Sequence, residues 1–586
     1  MPSDEQRGAK RRTLRRRLGL ALVLAVALVW LQRVLSRWVD RTSVFITGAV
    51  VLIALAWLVG WALSTYGPAL WRILRSLAGT LARAFPEDPE IRRLVRERPR
   101  LTGLVRRRTT LKHWTGLYLT ITVVLTVSFL YWFAIIARSI GLAAGLTKAD
   151  PQISALFRAF RAVQLTDVMW VATVLGEPRV MIALTVVVGL LMLAWGKRRE
   201  ALVFLAASAS AALMADALKL LVHRARPLAS LALIKTPSSF SFPSGHALGS
   251  IVFFGMLWLL LGRHVRPLWW RFLLLGAAVL AVVTIGVSRV YLGVHWTSDV
   301  VASWLLGAAW MSAWFGGYLM YERYGPPRTP VEPLGGVALR RGLTAAAVVV
   351  TAAAIVTAAL RDPLLRQVTA PEPAIALPAG SAATGGTTLP QSSVDRLPRF
   401  SETLTGARQE PVGLIFIATP AELYAAFEKA GWAVADMPTP ASLVHAAVAA
   451  IADQPYPTAP VTPDFLDSSV QTVAFEKPVG RATIRRRHHV RIWRTRFSAN
   501  GEPIWVATAS LDSRLEIGST LPLPTHHIEP NIDFERDFTV HDLQGSGVIG
   551  LAGYVRVSPP LAGTDAQGDR FFTLGRAAVM SDAAGR

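Results

Sequence analysis

Long apolar runs separated by short polar loops dominate the first 360 residues of this 586-residue chain. Most runs are close to the ~20 residues that a helix needs to cross a bilayer, so the pattern predicts about nine membrane-spanning helices. The predicted spans, of which the fourth and the sixth are the shortest, are 18–35, 44–66, 114–137, 180–195, 201–222, 247–261, 272–291, 300–321 and 342–360.

The pattern changes after the last apolar run. Residues 369–396 are rich in Ala, Pro, Gly, Ser and Thr, which predicts a linker. Residues 412–418 are typical of a buried strand, and Thr419-Pro420-Ala421-Glu422 combines a cap, a proline at the first helical position and a glutamate three residues after the cap. We expect a second helix at 442–453 and strands at 470–475, 488–496 and 503–511.

The predicted fold is therefore an all-α polytopic membrane helix bundle followed by a soluble α+β domain. Residues 1–113 hold two anchor helices and a basic loop, and residues 114–325 form a six-helix core. An additional helix occupies 326–368, a linker 369–396, and the C-terminal domain 397–586, with a tail that we expect to be partly disordered.

Composition supports a membrane protein, since 52% of the residues are hydrophobic and the mean hydropathy is +0.40. The net charge of +24 would suit a nucleic-acid-binding protein if the basic residues formed a stripe on a soluble domain. They lie mostly in short loops between apolar runs, so no nucleic-acid partner is expected. The chain has no cysteine, which excludes disulfides and thiolate metal sites.

The basic loops predict the orientation in the membrane. They are 72–112, 197–199, 263–271 and 323–341, and loops rich in Lys and Arg stay in the cytoplasm. This places the polar loops at 226–246 and 289–299, the segment 139–179 and the C-terminal domain on the extracytoplasmic side, which we expect to be the periplasmic side of a bacterial inner membrane. Residues 139–179 mix apolar and polar positions, as in an interfacial helix, a lid or an ordinary connection packed on the bundle.

Candidate chemistry is concentrated at 219–299, where polar clusters interrupt the apolar runs. Lys219 and Arg226 are seven residues apart and would share a helix face. His295 and Asp299 are four apart, the spacing at which a carboxylate can orient an imidazole. With Arg289, Ser244, the backbone N–H of Gly245 and a second histidine, His246, these groups suit phosphoryl transfer.

These residues occur in three motifs. Lys219 is followed after six residues by Arg226-Pro227, the second motif is Pro243-Ser244-Gly245-His246, and the third is Ser288-Arg289, five residues, His295, three residues and Asp299. Together they resemble the signature of the type 2 phosphatidic acid phosphatase (PAP2) superfamily, over about 114–321. The resemblance implies a metal-independent hydrolase without a cofactor. Its substrate would be a lipid phosphate or diphosphate such as phosphatidic acid, phosphatidylglycerol phosphate or undecaprenyl diphosphate.

The resemblance also implies roles for the motif residues. His295 would attack phosphorus and form a phosphohistidine, Asp299 would orient it, and His246 would protonate the leaving group. The phosphoryl oxygens would be bound by Lys219, Arg226, Ser244, Gly245 and Arg289. His223 and Arg224, which share the Lys219 face less well, are expected to be solvated or to contact lipid phosphates.

Three other functions use the same residues. One is a phosphoryl transferase with the same phosphohistidine, and another is a vanadate-dependent haloperoxidase, whose family shares this anion pocket. A transporter or scaffold that only binds lipid headgroups is the third. The paired histidines and the extent of the membrane region favour the phosphatase.

The C-terminal domain resembles the LssY C-terminal family over about 397–540, through residues 455–460, 474–478, 486–494, 505–506, 525–528 and 535–538. That family implies no chemistry. A candidate second site for a metal or phosphate comprises His488, His489, His526 and His527 with Glu476, Asp512 and Arg536. Neighbouring strand residues point to opposite faces, so at most one of each pair joins a site. The basic run 485–487 could contact anionic headgroups, glycan or a cell-envelope partner.

Overall fold

The computed structural model describes residues 117–361 except 143, 267 and 328–331, and residues 375–582 except 382–386, parts of 439–453, 481–485, 518–523 and 565–567; Ser76 and Arg93 are described before them. The two predicted spans at 18–35 and 44–66 lie outside this part. The chain forms two compact units, one of Met1–Leu142 with Arg161–Gln367, and the other of Ala143–Phe160 with Val368–Arg586.

The first unit is helical. The helices in its described part are α1 (Leu117–Leu142), α3 (Val163–Leu175), α4 (Pro178–Ala194), α5 (Arg198–Val222), α6 (Gly245–Leu261), α7 (Leu268–Tyr291), α8 (Thr297–Tyr324) and α9 (Val337–Arg361). Helix α2 (Leu146–Ala159) belongs to the second unit. Five described helices are long and apolar enough to cross a membrane, and α3 with α4, which meet at 55°, make a sixth as a pair. The described residues therefore confirm a helical membrane region of five or six apolar spans.

Small residues let the helices of the first unit pack closely. Ala207 and Ala211 on α5 are fully buried, and so are Val252 and Met256 on α6. Gly307 on α8 leaves no room for a side chain, because an added Cβ would lie 2.2 Å from Ile251. Small residues are the usual means of close helix approach within membranes.

The second unit contains a nine-stranded sheet in the order β14-β17-β6-β12-β11-β10-β7, with β1 paired to β11 and β13 paired to β12. Its strands are β1 (Ile375–Ala376), β6 (Leu414–Ile417), β7 (Ala433–Val434), β10 (Val473–Pro478), β11 (Arg487–Ala499), β12 (Glu502–Ile517), β13 (Pro524–Ile528), β14 (Ile549–Arg556) and β17 (Arg576–Asp582). A smaller sheet joins β4 (Phe400–Glu402), β5 (Arg408–Pro411), β8 (Phe465–Leu466) and β9 (Ser469–Val470). Two hairpins add β2 (Gly380–Ser381) with β3 (Thr387–Thr388), and β15 (Leu561–Thr564) with β16 (Arg570–Thr573).

Besides α2, the described part of this unit has the helices α10 (Gln391–Val394), α11 (Pro420–Lys429) and α12 (Ile532–Gly545). The large sheet buries apolar side chains on both faces, with Phe416 and Phe475 in one core and Trp493 and Val506 in the other. Phe427 of α11 stacks on Phe475. The domain is thus α+β, as predicted.

The local predictions for this domain are confirmed at three strands and one helix start. The strands predicted at 412–418, 488–496 and 503–511 correspond to β6, β11 and β12. Thr419 caps α11 by accepting from the Glu422 N–H at 3.3 Å, while the Glu422 carboxylate accepts from the Thr419 N–H at 3.0 Å. This reciprocal pair is the capping box that the sequence predicted.

Two segments differ from their predictions. Leu377, Leu389 and Val394 of the predicted linker are buried in the core of the second unit, so much of 375–396 is part of the domain. The predicted disordered tail is wrong as far as Asp582, because β17 lies between β14 and β6 and its side chains from Ala577 to Met580 are buried.

Helix α2 is an integral part of the second unit. Gln152 donates to the Glu402 carboxylate at 3.0 Å, and Arg158 donates to the Ser468 carbonyl at 3.3 Å. Thr147 and Ser154 on the same helix are buried. The sequence placed this stretch in an outer loop but did not predict that it packs with the C-terminal domain.

Candidate active site

The three motifs lie at the ends of four consecutive helices of the first unit. Lys219 occupies the last turn of α5, and Ser244 is the residue that precedes α6. Arg289 is in the last turn of α7, and Asp299 is in the first turn of α8. Because α5 and α7 end where α6 and α8 begin, residues far apart in sequence meet at one end of the helix bundle.

The ammonium group of Lys219 lies beside the start of α6. An added Cβ on Gly245 would be 3.7 Å from Lys219 Nζ. Lys219 also donates to Asp216 Oδ1 at 3.0 Å, and the Asp216 side chain is 74% exposed. The unpaired N–H groups and the positive end of the α6 dipole thus adjoin a cation, an arrangement that favours an anion.

Two donor atoms of the motif residues are buried and have no hydrogen-bond partner among the described residues. They are Ser244 Oγ and Arg289 Nε. The Ser244 backbone N–H donates to Ser303 Oγ at 2.8 Å, which fixes the residue, and the Arg289 guanidinium also donates to Thr173 Oγ1 on α3. Both donor atoms are therefore available to the oxygens of a bound phosphoryl group.

His295 is held between a carboxylate and a guanidinium. The imidazole is buried, with Nδ1 at 3.5 Å from Asp299 Oδ2 and Nε2 at 3.0 Å from Arg226 Nη1. A carboxylate at Nδ1 favours the tautomer whose proton is on Nδ1, so the Nε2 lone pair points toward the Arg226 guanidinium and accepts from it at 3.0 Å. The same lone pair would be the nucleophile toward a phosphoryl group bound by Arg226. Arg226 is itself fixed by the carbonyls of Ser239, Phe240 and Val294.

Arg224 has a different place from the one predicted. Its Nη1 donates to Asp299 Oδ1 and to Ser298 Oγ, each at 2.6 Å, and its side chain is largely buried. The prediction that Arg224 is solvated or contacts lipid phosphates is wrong, because Asp299 is fully buried and requires a cationic partner. Ser241 Oγ donates to Asp299 Oδ2 at 2.5 Å, and the Trp296 N–H donates to the same oxygen at 3.0 Å.

His246, in the first turn of α6, faces the bend between α3 and α4. A Cβ on Gly176 would lie 3.1 Å from His246 Cδ2, so a glycine at the bend permits this approach. Lys219, Arg226 and Arg289 are all close enough to interact electrostatically with the imidazole. His223 has no part in this cluster; it ends α5 in a left-handed conformation and its ring packs on Phe240.

The structure thus gathers every residue that the sequence singled out for this site. Ser241, Ser303 and Thr173 were missed, as was the role of Arg224. Their partners are 58, 59, 116 and 75 residues away along the chain, respectively, so no local spacing could reveal them.

Among the described side chains of the predicted second site, His488, His489 and His527 do not form one cluster. His488 and His489 are consecutive on β11 and point to opposite faces: His488 Nδ1 is 2.7 Å from Glu535 Oε1, and His489 Nδ1 is 2.9 Å from Asp512 Oδ1. His527 contacts Asp569, whereas the side chain of His526 lies outside the described residues. Arg536 binds Asp533 and Asp537.

A buried polar cluster surrounds Arg487 on the His489 face of the sheet. Arg487 donates to Glu476 Oε2 at 2.7 Å and to Asp512 Oδ2 at 3.1 Å. One cation serves two carboxyl groups, and burial raises the pKa of Glu476 to about 8. Burial also lowers the pKa of His489 to about 4. The described residues include no group of three or more His, Asp or Glu that could hold a metal ion.

Known proteins match both units. A family model described as the PAP2 superfamily matches residues 200–322, and one described as the LssY C-terminus matches residues 394–576. Phosphatidylglycerophosphatase B of Bacillus subtilis is 33% identical over 183 residues, which are 31% of this chain and 88% of that protein. The chain belongs to the PAP2 superfamily.

Two further similarities involve the PAP2 region. An undecaprenyl-diphosphatase of Sulfolobus acidocaldarius is 46% identical over 76 residues, 13% of this chain and 32% of that protein. A crystal structure of a transmembrane PAP2-type phosphatidylglycerolphosphate phosphatase from Bacillus subtilis is 31% identical and aligns with a TM-score of 0.32, covering 34% of this chain and 98% of that one. As a member of this superfamily with phosphatase relatives, the protein is a phosphoric ester hydrolase of the membrane, and it carries an LssY C-terminal domain.

Proposed function

We propose that the protein hydrolyses a lipid phosphomonoester or diphosphate through a phosphohistidine on His295. The observation that carries this proposal is the setting of His295, whose Nδ1 faces a buried carboxylate while its Nε2 faces Arg226. A nucleophile needs an oriented lone pair beside cations that bind the reacting group, and His295 has both.

The reaction proceeds in two steps. The His295 Nε2 lone pair attacks phosphorus, the bond from phosphorus to the lipid oxygen breaks, and His246 donates its proton to that oxygen. Water then attacks the phosphohistidine, giving a proton to His246 as the phosphorus–nitrogen bond breaks and phosphate leaves.

Charge on the phosphoryl oxygens is balanced throughout by fixed donors. Lys219, Arg226 and Arg289 supply the cations, and Ser244 Oγ with the Gly245 N–H supplies neutral donors. Asp299 keeps the His295 proton on Nδ1 and stabilises the positive imidazole ring of the intermediate. This set supplies the electrostatic stabilisation that phosphoryl transfer requires without calling on a metal ion.

The site and the C-terminal domain are assigned to the extracytoplasmic face. With the bent pair α3 and α4 as one crossing, and with α9 as the span that the sequence predicts at 342–360, the chain makes an even number of crossings between α2 and the C-terminal domain. Since these two segments belong to one compact unit, they require the same side of the membrane. The loops 197–199 and 263–271 on the other side are basic, which assigns that side to the cytoplasm.

Phosphatidylglycerol phosphate is the first substrate to test, because the phosphatidylglycerophosphatase matches this chain over most of its own length. Purified full-length protein should be assayed for phosphate release from phosphatidylglycerol phosphate, phosphatidic acid and undecaprenyl diphosphate in detergent micelles containing EDTA. We expect release from at least one of these lipids, which His295→Ala abolishes. Retained turnover by folded His295→Ala, or no release from any of the three lipids by wild type, would contradict the proposal.

A further inference from the structure

The turn that joins α7 to α8 is fixed by Arg161, a residue that belongs to none of the three motifs. Arg161 Nη2 donates to the Tyr291 carbonyl at 3.1 Å and to the Leu231 carbonyl at 3.0 Å, and its Nε donates to the Tyr291 carbonyl at 3.3 Å. A guanidinium can bind two acceptors at once in a fixed geometry. Arg161 therefore ties the end of α7 to the segment that follows α5.

The side chain of Tyr291 is bound by the same segment. It is 1% exposed, and its hydroxyl oxygen accepts from the Ala162 backbone N–H at 3.1 Å and lies 2.8 Å from Thr166 Oγ1. Both the backbone and the side chain of Tyr291 are thus fixed by residues 161–166, which we call the clamp.

The clamp approaches the turn so closely that a glycine is needed there. Gly293 has φ +78°, and an added Cβ would lie 3.0 Å from the Leu231 carbonyl oxygen and 3.1 Å from Arg161 Nη2. The Leu233 N–H also donates to the Leu292 carbonyl at 2.9 Å. The turn is therefore confined on one side by the clamp and on another by residues 231–233.

Movement of this turn would displace two groups of the reaction together. Arg289 is two residues before Tyr291 and His295 four residues after it, and the backbone N–H groups of Val294 and His295 donate to the Arg289 carbonyl at 3.1 and 3.2 Å. Tyr291 is thus the point at which the clamp fixes a closed loop that carries both a phosphate-binding arginine and the nucleophile.

We propose that Arg161 is a positioning residue for the phosphatase reaction, acting through Tyr291 on Arg289 and His295. Its guanidinium donates to the backbone carbonyls of Tyr291 and Leu231, so the effect on Arg289 and His295 is indirect. The inference rests on the proposed roles of Arg289 and His295. Misplacement of a reacting group by about 1 Å costs about 100-fold in rate, so loss of the clamp should lower kcat far more than it changes KM.

The test compares Arg161→Ala, Arg161→Lys and Tyr291→Phe in full-length protein, with phosphate release from micellar phosphatidylglycerol phosphate, or from whichever lipid the wild type hydrolyses, as the assay. We expect kcat of Arg161→Ala to fall about 100-fold with KM within about threefold. Millimolar guanidinium ion should raise the kcat of Arg161→Ala at least tenfold and leave the kcat of the wild type unchanged. Arg161→Lys should have a kcat between those of Arg161→Ala and the wild type, because an ammonium group cannot bind two acceptors in the fixed planar geometry of a guanidinium.

Arg158→Ala is the matched control, since Arg158 lies three residues earlier and binds Ser468 instead; it should retain wild-type kcat. If Arg161→Ala fails to fold, Tyr291→Phe decides, because it loses only the hydroxyl contacts and should lower kcat about tenfold. A folded Arg161→Ala or Tyr291→Phe with wild-type kcat overturns the inference, and so does a loss that appears only in KM. Failure of the proposed function is distinct, because it would appear as retained activity in His295→Ala.

Discussion

At the residue scale, the burial of Asp299 explains why Arg224 belongs to the site. Asp299 is fully buried and accepts hydrogen bonds from Arg224, Ser241 and the Trp296 N–H. A buried carboxylate is stable only when its charge is compensated, and its orientation then fixes the His295 imidazole. Arg224 is the one cation bound to Asp299 among the described residues, although it lies outside the three motifs.

Replacing Arg224 should therefore impair the nucleophile. We expect Arg224→Ala to lower kcat for phosphate release about 100-fold, since Asp299 loses its ion pair and no longer fixes the imidazole. Arg224→Lys should keep more activity, because it keeps the charge.

Lys235→Ala, an exposed cation in the same connection between α5 and α6, is the matched control and should retain wild-type kcat. Wild-type kcat in folded Arg224→Ala would show that the ion pair with Asp299 has no part in the reaction.

The sequence predicted the residues that share a motif and missed those that reach the site from elsewhere. Lys219, Arg226 and Ser244 were predicted because a polar side chain at the end of an apolar run must be solvated or bind a ligand. Thr173 and Ser241 are short polar side chains that occur in any loop or helix. Only the folded chain brings them to Arg289 and Asp299.

At the scale of elements, helix starts and long strands could be predicted from signals between neighbouring residues. The elements that each of them packs or pairs with could not. The capping box of α11 and the long strands β11 and β12 could be predicted because their signals lie within a few residues. The two-residue strand β1 has no such signal, since its pairing with β11 alone defines it. Helix α2 contacts the rest of its unit through the polar side chains Gln152 and Arg158, and a polar side chain on a helix does not indicate which domain it will contact.

The pairing of β10 with β11 makes a pH-dependent contribution to stability. The pKa of Glu476 is about 8 in the folded domain, against an ordinary value of 4.5, so the folded state keeps a proton that the unfolded state loses between these values. The free energy of unfolding therefore falls as pH rises through this window. His489, with its pKa lowered from 6.5 to about 4, has the opposite effect but only below about 6.5.

Above pH 6.5 the effect of Glu476 is no longer opposed by that of His489. We expect amide hydrogen-exchange protection in β10 and β11 of the full-length protein, corrected for intrinsic rates, to fall between pH 6.5 and 8 by up to about tenfold per pH unit. Glu476→Gln should flatten this dependence, whereas Glu428→Gln on the exposed face of α11 should not. An equally steep fall in Glu476→Gln would assign the pH dependence to another group.

At the scale of the whole molecule, the C-terminal domain is more than an appended module. Its compact unit includes α2, which the chain supplies between α1 and α3, so three chain connections join the two units. Removal of residues 397–586 would remove the hydrogen-bond partners of Gln152 and Arg158 on α2. Truncation therefore also leaves α2, which the chain supplies between α1 and α3, without these partners of its own unit. Activity lost on truncation would not by itself place the C-terminal domain in the reaction.

Phosphorylation of His295 tests the central proposal most directly. Full-length protein is mixed with phosphatidylglycerol phosphate, or the lipid that it hydrolyses, carrying a radiolabelled terminal phosphate. The reaction is quenched in alkali within milliseconds and the labelled peptides are mapped. We expect an alkali-stable, acid-labile label on the peptide that contains His295, and none in His295→Ala. A label on another residue, or release of phosphate at the wild-type rate by His295→Ala, would contradict a phosphohistidine on His295.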